Sequence, residues 1–388
     1  MANVTWNGGS GVWDTATLWS TGAIPGAADA VTIDATGASY TVSENGTADA
    51  ARSITLNSAA ATLAIAGTLA LGTTLTATAG TLELAGGRLD GGTLALQGAS
   101  LIAAGGTLDG VTVLGPLSIG GPGQSITIDG GLTLLGPGGT KPGTLALGSD
   151  GATVAFGDAE TLDNIVISLG TAGGIFDIGS TLSLGATTTL TVTGASAFVD
   201  FSNPGGNPAT VDNAGTIALT GGTSTLRIDL ASFENSGSIS IPAGGQLEIN
   251  HFLGTPGSFA NTGSISVGSG GQLIIGDTIS PADLAGITMN DGTLLLEGVF
   301  ENTGQTLTTA ATGLFSNIIF SFGTIVGGTI DPDGGTFVSQ VGTFDGVTWN
   351  STLLAPGGEL VILGGLTLAP GSDTIDLSAG GGVLARDT

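Results

Sequence analysis

Residues 233–249 read FENSGSISIPAGGQLEI, and residues 259–275 read FANTGSISVGSGGQLII. The copies begin at Phe233 and Phe259 and align over their whole length. In each, Ser-Ile-Ser-Ile (or Val) and then Gln-Leu-x-Ile place an aliphatic side chain at every second position. That is the two-residue period of a half-buried strand. The strands stop at Gly or Asn-x-Gly, whose backbones accept the positive φ of sharp turns. Two short strands cannot bury their apolar faces alone, but stacked repeats bury them against one another.

The same grammar runs outward in both directions. VDNAGTIAL at Val211 and FENTG at Phe300 are offset copies. In the first half the unit is Gly-Thr-Leu-x-Leu, opening at Gly67, Gly80, Gly92, Gly106 and Gly143 and returning at Gly292. A third phrase links the halves: LDGVTV at Leu108, LDNIVI at Leu162, LAGITM at Leu284 and FDGVTW at Phe344. The early steps, from Gly67 to Gly80 to Gly92 to Gly106, each have room for one strand plus one turn. A closed antiparallel sandwich would need longer strands at hairpin spacing. The expectation is an all-β, right-handed parallel β-helix (a β-solenoid) forming a single elongated rod with an N-terminal cap. At roughly 20 to 25 residues per coil and about 4.8 Å per coil, the rod would be about 75 to 90 Å long. Residues 1–34 read as a tryptophan-rich capping segment and 35–388 as the solenoid, whose dialect changes near residue 200 within one continuous rod. ISPADLAGI at Ile279 is compatible with one helical turn, because Pro281 suits a first helical position.

Composition narrows the function classes. The 388 residues include 72 Gly and no Cys, so disulfides and thiolate metal sites are excluded. Thirty-one acidic residues face five basic ones (Arg52, Arg88, Lys141, Arg227 and Arg386), for a formal charge of −26. No basic footprint for nucleic acid or an anionic membrane surface can be assembled from these. No apolar run is long enough to span a bilayer, since Gly and Thr interrupt every candidate. The acidic surface serves solubility and leaves room for weak surface calcium.

Taken together, F-x-N-x-G-S-I-S-[IV]…G-G-Q-L-x-I, the opening W-N-G-G-S-G-V-W-D from Trp6 and FDGVTWN at 344–350 resemble the passenger regions of bacterial autotransporters and related large surface adhesins. The resemblance covers nearly the whole chain and is one of repeat style. It implies right-handed parallel β-helix coils and an extracellular or bacterial cell-surface location. No basic n-region precedes an apolar stretch at the start, and no translocator barrel follows GGGVLARDT. The resemblance therefore implies a fragment, or export by another route.

Chemistry is sparse. A β-helix glycosidase would need two carboxylates about 5 to 9.5 Å apart, and the candidates on stacked coils are Glu234 with Glu301 and Glu248 with Glu297. Arg227, beside Asp229 in LRIDL, reads as an outer-face ion pair. His251 is the only histidine, with no G-x-S-x-G context. GGPGQSITID at Gly120 lacks the Asp of a calcium-binding repeat, and DPDGG at Asp331 lacks the remaining ligands of a calcium loop. TTTLTVT at 187–193 suggests water-ordering Thr ranks, but uneven repeat spacing predicts that no regular rank forms. Trp6, Trp13 and Trp19 remain. They read as a lid on the first coil, with a carbohydrate-stacking platform as the other role. The expected function is a non-enzymatic surface solenoid acting by presentation and packing, with no cofactor. A self-assembling fibre or surface-layer subunit and a carbohydrate-active β-helix enzyme are the alternatives. Expected partners are further copies of the chain or surface carbohydrate, with no nucleic acid and no membrane insertion.

Overall fold

The computed structural model describes residues 2–148, 150–176, 181–200, 209–250, 257–308, 317–332, 336–351, 353–354, 358–370, 374–377 and 380–386. It is a parallel β-solenoid with no helical core. Strands pair with strands one coil away, in parallel. The helical elements among the described residues are two 3₁₀ turns, Ala16–Leu18 and Pro281–Leu284. Two compact units result: Met1–Thr191 with Ser202–Asn207, and Val192–Phe201 with Pro208–Thr388.

In the first unit one ladder runs from Asn3–Thr5 through Ala30–Ile33, Ser53–Ile65, Thr74–Leu84, Thr93–Leu96 and Thr112–Leu114 to Thr133–Leu135. Its rungs recur at Ala30, Ser53, Thr74, Thr93, Thr112 and Thr133, one coil apart each time. Alternation sends Val4, Val31, Ile54, Leu75, Leu94, Val113 and Leu134 inward, where all are buried. Each contributes about 1.5–3 kcal/mol.

The repeated phrase is shorter than the coil. A Gly-Thr-Leu step covers about two-thirds of a turn, so consecutive phrases fall on successive faces and do not stack on each other. Thr68 lies against Arg88 and then Thr107, while Thr93 lies between Thr74 and Thr112. Uneven spacing does not spoil the ranks, contrary to expectation. Thr74, Thr93, Thr112 and Thr133 stand in one outward column and Thr5, Thr32, Thr55 and Thr76 in another. Corners and bulges, such as the register shifts near Asn57, take up the extra residues.

In the second unit the two long copies do stack in register: Phe233 on Phe259, Ser238 on Ser264, Gln246 on Gln272. The two phenylalanine rings are parallel, with centroids 5.6 Å apart. Asn235 is not an exposed turn residue. It is buried, accepts from Asn213 Nδ2 at 2.7 Å and donates through its own Nδ2 to Asn261 Oδ1 at 2.7 Å. Gly237 follows because any Cβ there would sit 2.1 Å from the Gly215 carbonyl oxygen one coil back. At Pro281–Leu284, the Asp283 carboxylate accepts from both the backbone N–H and the hydroxyl of Ser280, at 2.8 Å each.

Candidate functional site

Three places concentrate chemistry. The first is the tryptophan cluster. Trp6 and Trp13 are tied to the next strands by their backbone N–H groups, to Thr32 and Ser43 at 2.9 Å each. Trp19 closes back on Trp6 through an isolated antiparallel bridge. The rings meet edge to face, with centroids 4.7 Å apart for Trp6–Trp19 and 4.8 Å for Trp13–Trp19. Trp19 Nε1 donates to the Trp13 carbonyl at 2.7 Å, and Trp6 Nε1 to that of Gly9 at 2.9 Å. Exposure is 1 %, 0 % and 1 % for Trp6, Trp13 and Trp19, so none presents a free indole face to a sugar ring. Trp349 is also buried, stacked on Phe344.

The second is an acidic corner beside that cluster. Glu44 ends the strand Tyr40–Glu44 and is wholly buried. Its carboxylate accepts from Gly46 N at 3.0 Å and Gly67 N at 3.3 Å. Burial and the neighbouring Asp49 carboxyl push Glu44 up to about 7. Burial and Asp14 likewise raise Asp49. The signal that could have found this corner is in the alternation itself: Tyr40, Val42 and Glu44 are the inward set of YTVSE, and a carboxyl stands where period two calls for an apolar residue. Among the described residues no three His, Cys, Asp or Glu side chains, here or elsewhere, are arranged to hold a metal ion.

The third is the outer face of the second unit, where the carboxylate pairs proposed from sequence can be placed. Glu234 and Glu301 share a column, but the coils of Phe259 and Ile279 lie between them. Three rungs separate the pair by about 14 Å, too far for a glycosidase. Glu248 and Glu297 do not share a column. Glu248 aligns with Ile274 and then Leu295, and Glu297 lies two residues beyond, so the pair is two rungs apart, about 10 Å along the stack. Burial, and then the Glu248 charge, raises Glu297. Arg227 pairs in register with Glu248, and its Nη1 lies 3.8 Å from the carboxylate of the buried Asp229. Ser196, Phe198, Thr225, Arg227, Gln246 and Glu248 line a groove of about 360 Å³. His251 lies outside the described residues.

In the first unit, Asp90, Asp109 and Asp129 stand in one outward column, and Arg88 bridges Asp109 and Asp129. That rank is spanned by a guanidinium, which offsets its like-charge repulsion. No helix among the described residues is long and apolar enough to cross a membrane. No family model, curated protein or solved structure matches the chain. Its own geometry classifies it: a large all-β repeat protein built as a β-solenoid.

Proposed function

We propose that this chain is an exported, bacterial cell-surface β-solenoid that works by presenting its outer faces for adhesion, without catalysis. The supporting observation is the division of labour along each strand. Inward positions are spent on aliphatic, aromatic and asparagine ladders, and outward positions carry hydroxyls, acids and one mixed groove. Buried and interlocked, Trp6, Trp13 and Trp19 act in this reading as the lid on the first coil, shielding an apolar end from aggregation. The location rests on the resemblance of the repeat style to autotransporter passengers. The spacing of Glu234 from Glu301, about 14 Å along the stack, favours binding over glycoside cleavage by that pair.

Protease shaving of intact producing cells, followed by fractionation, tests the location. Beads coated with the purified chain test adhesion to polysaccharide-coated and cell-coated surfaces. Surface-accessible protein and bead adhesion are expected. Protein confined to the cytosolic fraction, or polysaccharide cleavage abolished by Glu248→Gln or Glu297→Gln, overturns the reading.

A further inference from the structure

The chain contains two Asn-Gly steps, Asn7-Gly8 and Asn45-Gly46. In such a step the glycine's backbone nitrogen can close a five-membered ring on the asparagine side-chain carbonyl, and the missing Cβ leaves that nitrogen unhindered. The obstacle is the proton on the nitrogen. A peptide nitrogen attacks only as a base removes that proton, and the base must lie about 2.6–3.2 Å away.

The fold supplies that base at one step and not at the other. Glu44 Oε1 accepts the Gly46 N–H at 3.0 Å, and Oε2 accepts from Gly67 N at 3.3 Å, which fixes the carboxyl over this peptide. The acceptor of the Gly46 N–H is thus a base and not a ladder carbonyl. Glu44 is buried and Asn45 is exposed, so the base is dry while the side-chain amide stands open to water. The titratable groups on this side are Asp49, facing Glu44 from the strand Asp49–Ala51, and Asp14, which faces Asp49 from the cap. Burial and Asp49 make Glu44 a stronger base than a solvated carboxylate. Gly46 is held as well: its carbonyl accepts from Thr68 N at 2.8 Å, and Asp49 and Asp14 crowd the place where a Cβ would go. At the other step Asn7 Nδ2 donates to the Thr17 carbonyl at 3.3 Å, and no carboxylate receives the Gly8 N–H among the described residues.

We propose that Asn45-Gly46 is a self-modification site, at which Glu44 is the general base that converts Asn45 to an aspartyl or isoaspartyl residue. Glu44 takes the Gly46 N–H proton as that nitrogen attacks Asn45 Cγ. The new C–N bond closes a succinimide, the bond from Cγ to the amide nitrogen breaks, and the proton leaves with ammonia. Water then opens the ring at either carbonyl. Asparagine plus water becomes a carboxylate plus ammonia, with nothing oxidised or reduced. The isoaspartyl product lengthens the main chain by one carbon at a corner two residues from Ser43, whose carbonyl holds Trp13 N at 2.9 Å. The modification therefore marks the age of the capped end.

The test incubates the full chain in heavy-oxygen water between pH 5 and pH 9 and then digests it in ordinary water. Chymotrypsin cuts after Trp6, Trp13 and Tyr40, which places Asn7 and Asn45 in separate peptides whose heavy-oxygen gain mass spectrometry reads. At pH 7.5 Asn45 is expected to convert at least about tenfold faster than Asn7, a modest share of the roughly 100-fold to 10,000-fold a positioned base supplies. Its rate should rise through about pH 7 and level off as Glu44 becomes fully ionised, whereas that of Asn7 keeps rising with hydroxide. Glu44→Gln, whose amide oxygen still accepts the Gly46 N–H but takes no proton, should bring Asn45 down to the rate of Asn7. In urea the two steps should react alike. The proposal is overturned if folded Asn45 reacts no faster than Asn7, if the gap survives in urea, or if Glu44→Gln leaves it unchanged. A wild-type rate at Asn45 that climbs with pH without levelling overturns it independently of any variant.

Discussion

Glu44 is expected to make the first unit more stable in mild acid than in mild alkali. The residue is wholly buried, with a pKa raised from 4.5 to about 7 by burial and the Asp49 carboxyl. The folded chain therefore holds a proton that the unfolded chain releases near 4.5. The stabilisation is complete below that value and is lost as pH rises through about 7. At about 1.4 kcal/mol per tenfold change in proton affinity, the displacement corresponds to about 3 kcal/mol. Asp49, also raised, acts in the same direction. Self-repulsion among 31 acids also destabilises the fold as pH rises, so the wild-type profile alone does not isolate the corner.

Glu44→Gln separates the two effects. The amide donates to Asp49 as the protonated acid does, and its oxygen still accepts a backbone N–H, whatever the pH. Urea unfolding followed by tryptophan fluorescence, which weights the neighbouring cluster of Trp6, Trp13 and Trp19, should be run at pH 5 and pH 8. Wild type is expected to lose about 2–3 kcal/mol between the two, and Glu44→Gln to lack most of that difference, becoming the more stable protein at pH 8. A wild type more stable at pH 8, or a variant with an unchanged pH dependence, refutes the assignment.

Trp19→Ala removes the ring that touches both Trp6 and Trp13, and should cost about 3–5 kcal/mol in the same urea assay. Asn235→Ala strands the Asn213 amide N–H and the Asn261 carbonyl oxygen in the core; a loss of about 2–6 kcal/mol is expected in the second unit, read by hydrogen exchange of its strands. Gly237→Ala drives a Cβ into the Gly215 carbonyl and should cost at least about 2 kcal/mol by thermal melting; a neutral result would show that the coils can part locally.

What the sequence determined by itself is local and periodic. Alternation every second residue identifies strands and their inward members, because a pleated strand turns its side chains by half a revolution per residue. Pro281 and its neighbours announce the single turn at Pro281–Leu284. The two long copies at Phe233 and Phe259 also stack in register, since equal length forces equal corners. What only the tertiary structure decided depends on corner length, which no short-range pattern encodes. The Gly-Thr-Leu phrases look like rungs of one ladder, yet each coil is longer than the step between phrases and sends consecutive copies to different faces. The same geometry turned Asn235 inward, separated Glu234 from Glu301, and brought Phe198, Arg227 and Glu248 into one rank. Residues far apart in sequence meet across a solenoid only when the closed path of each coil returns them to the same angle, and that closure belongs to the whole coil.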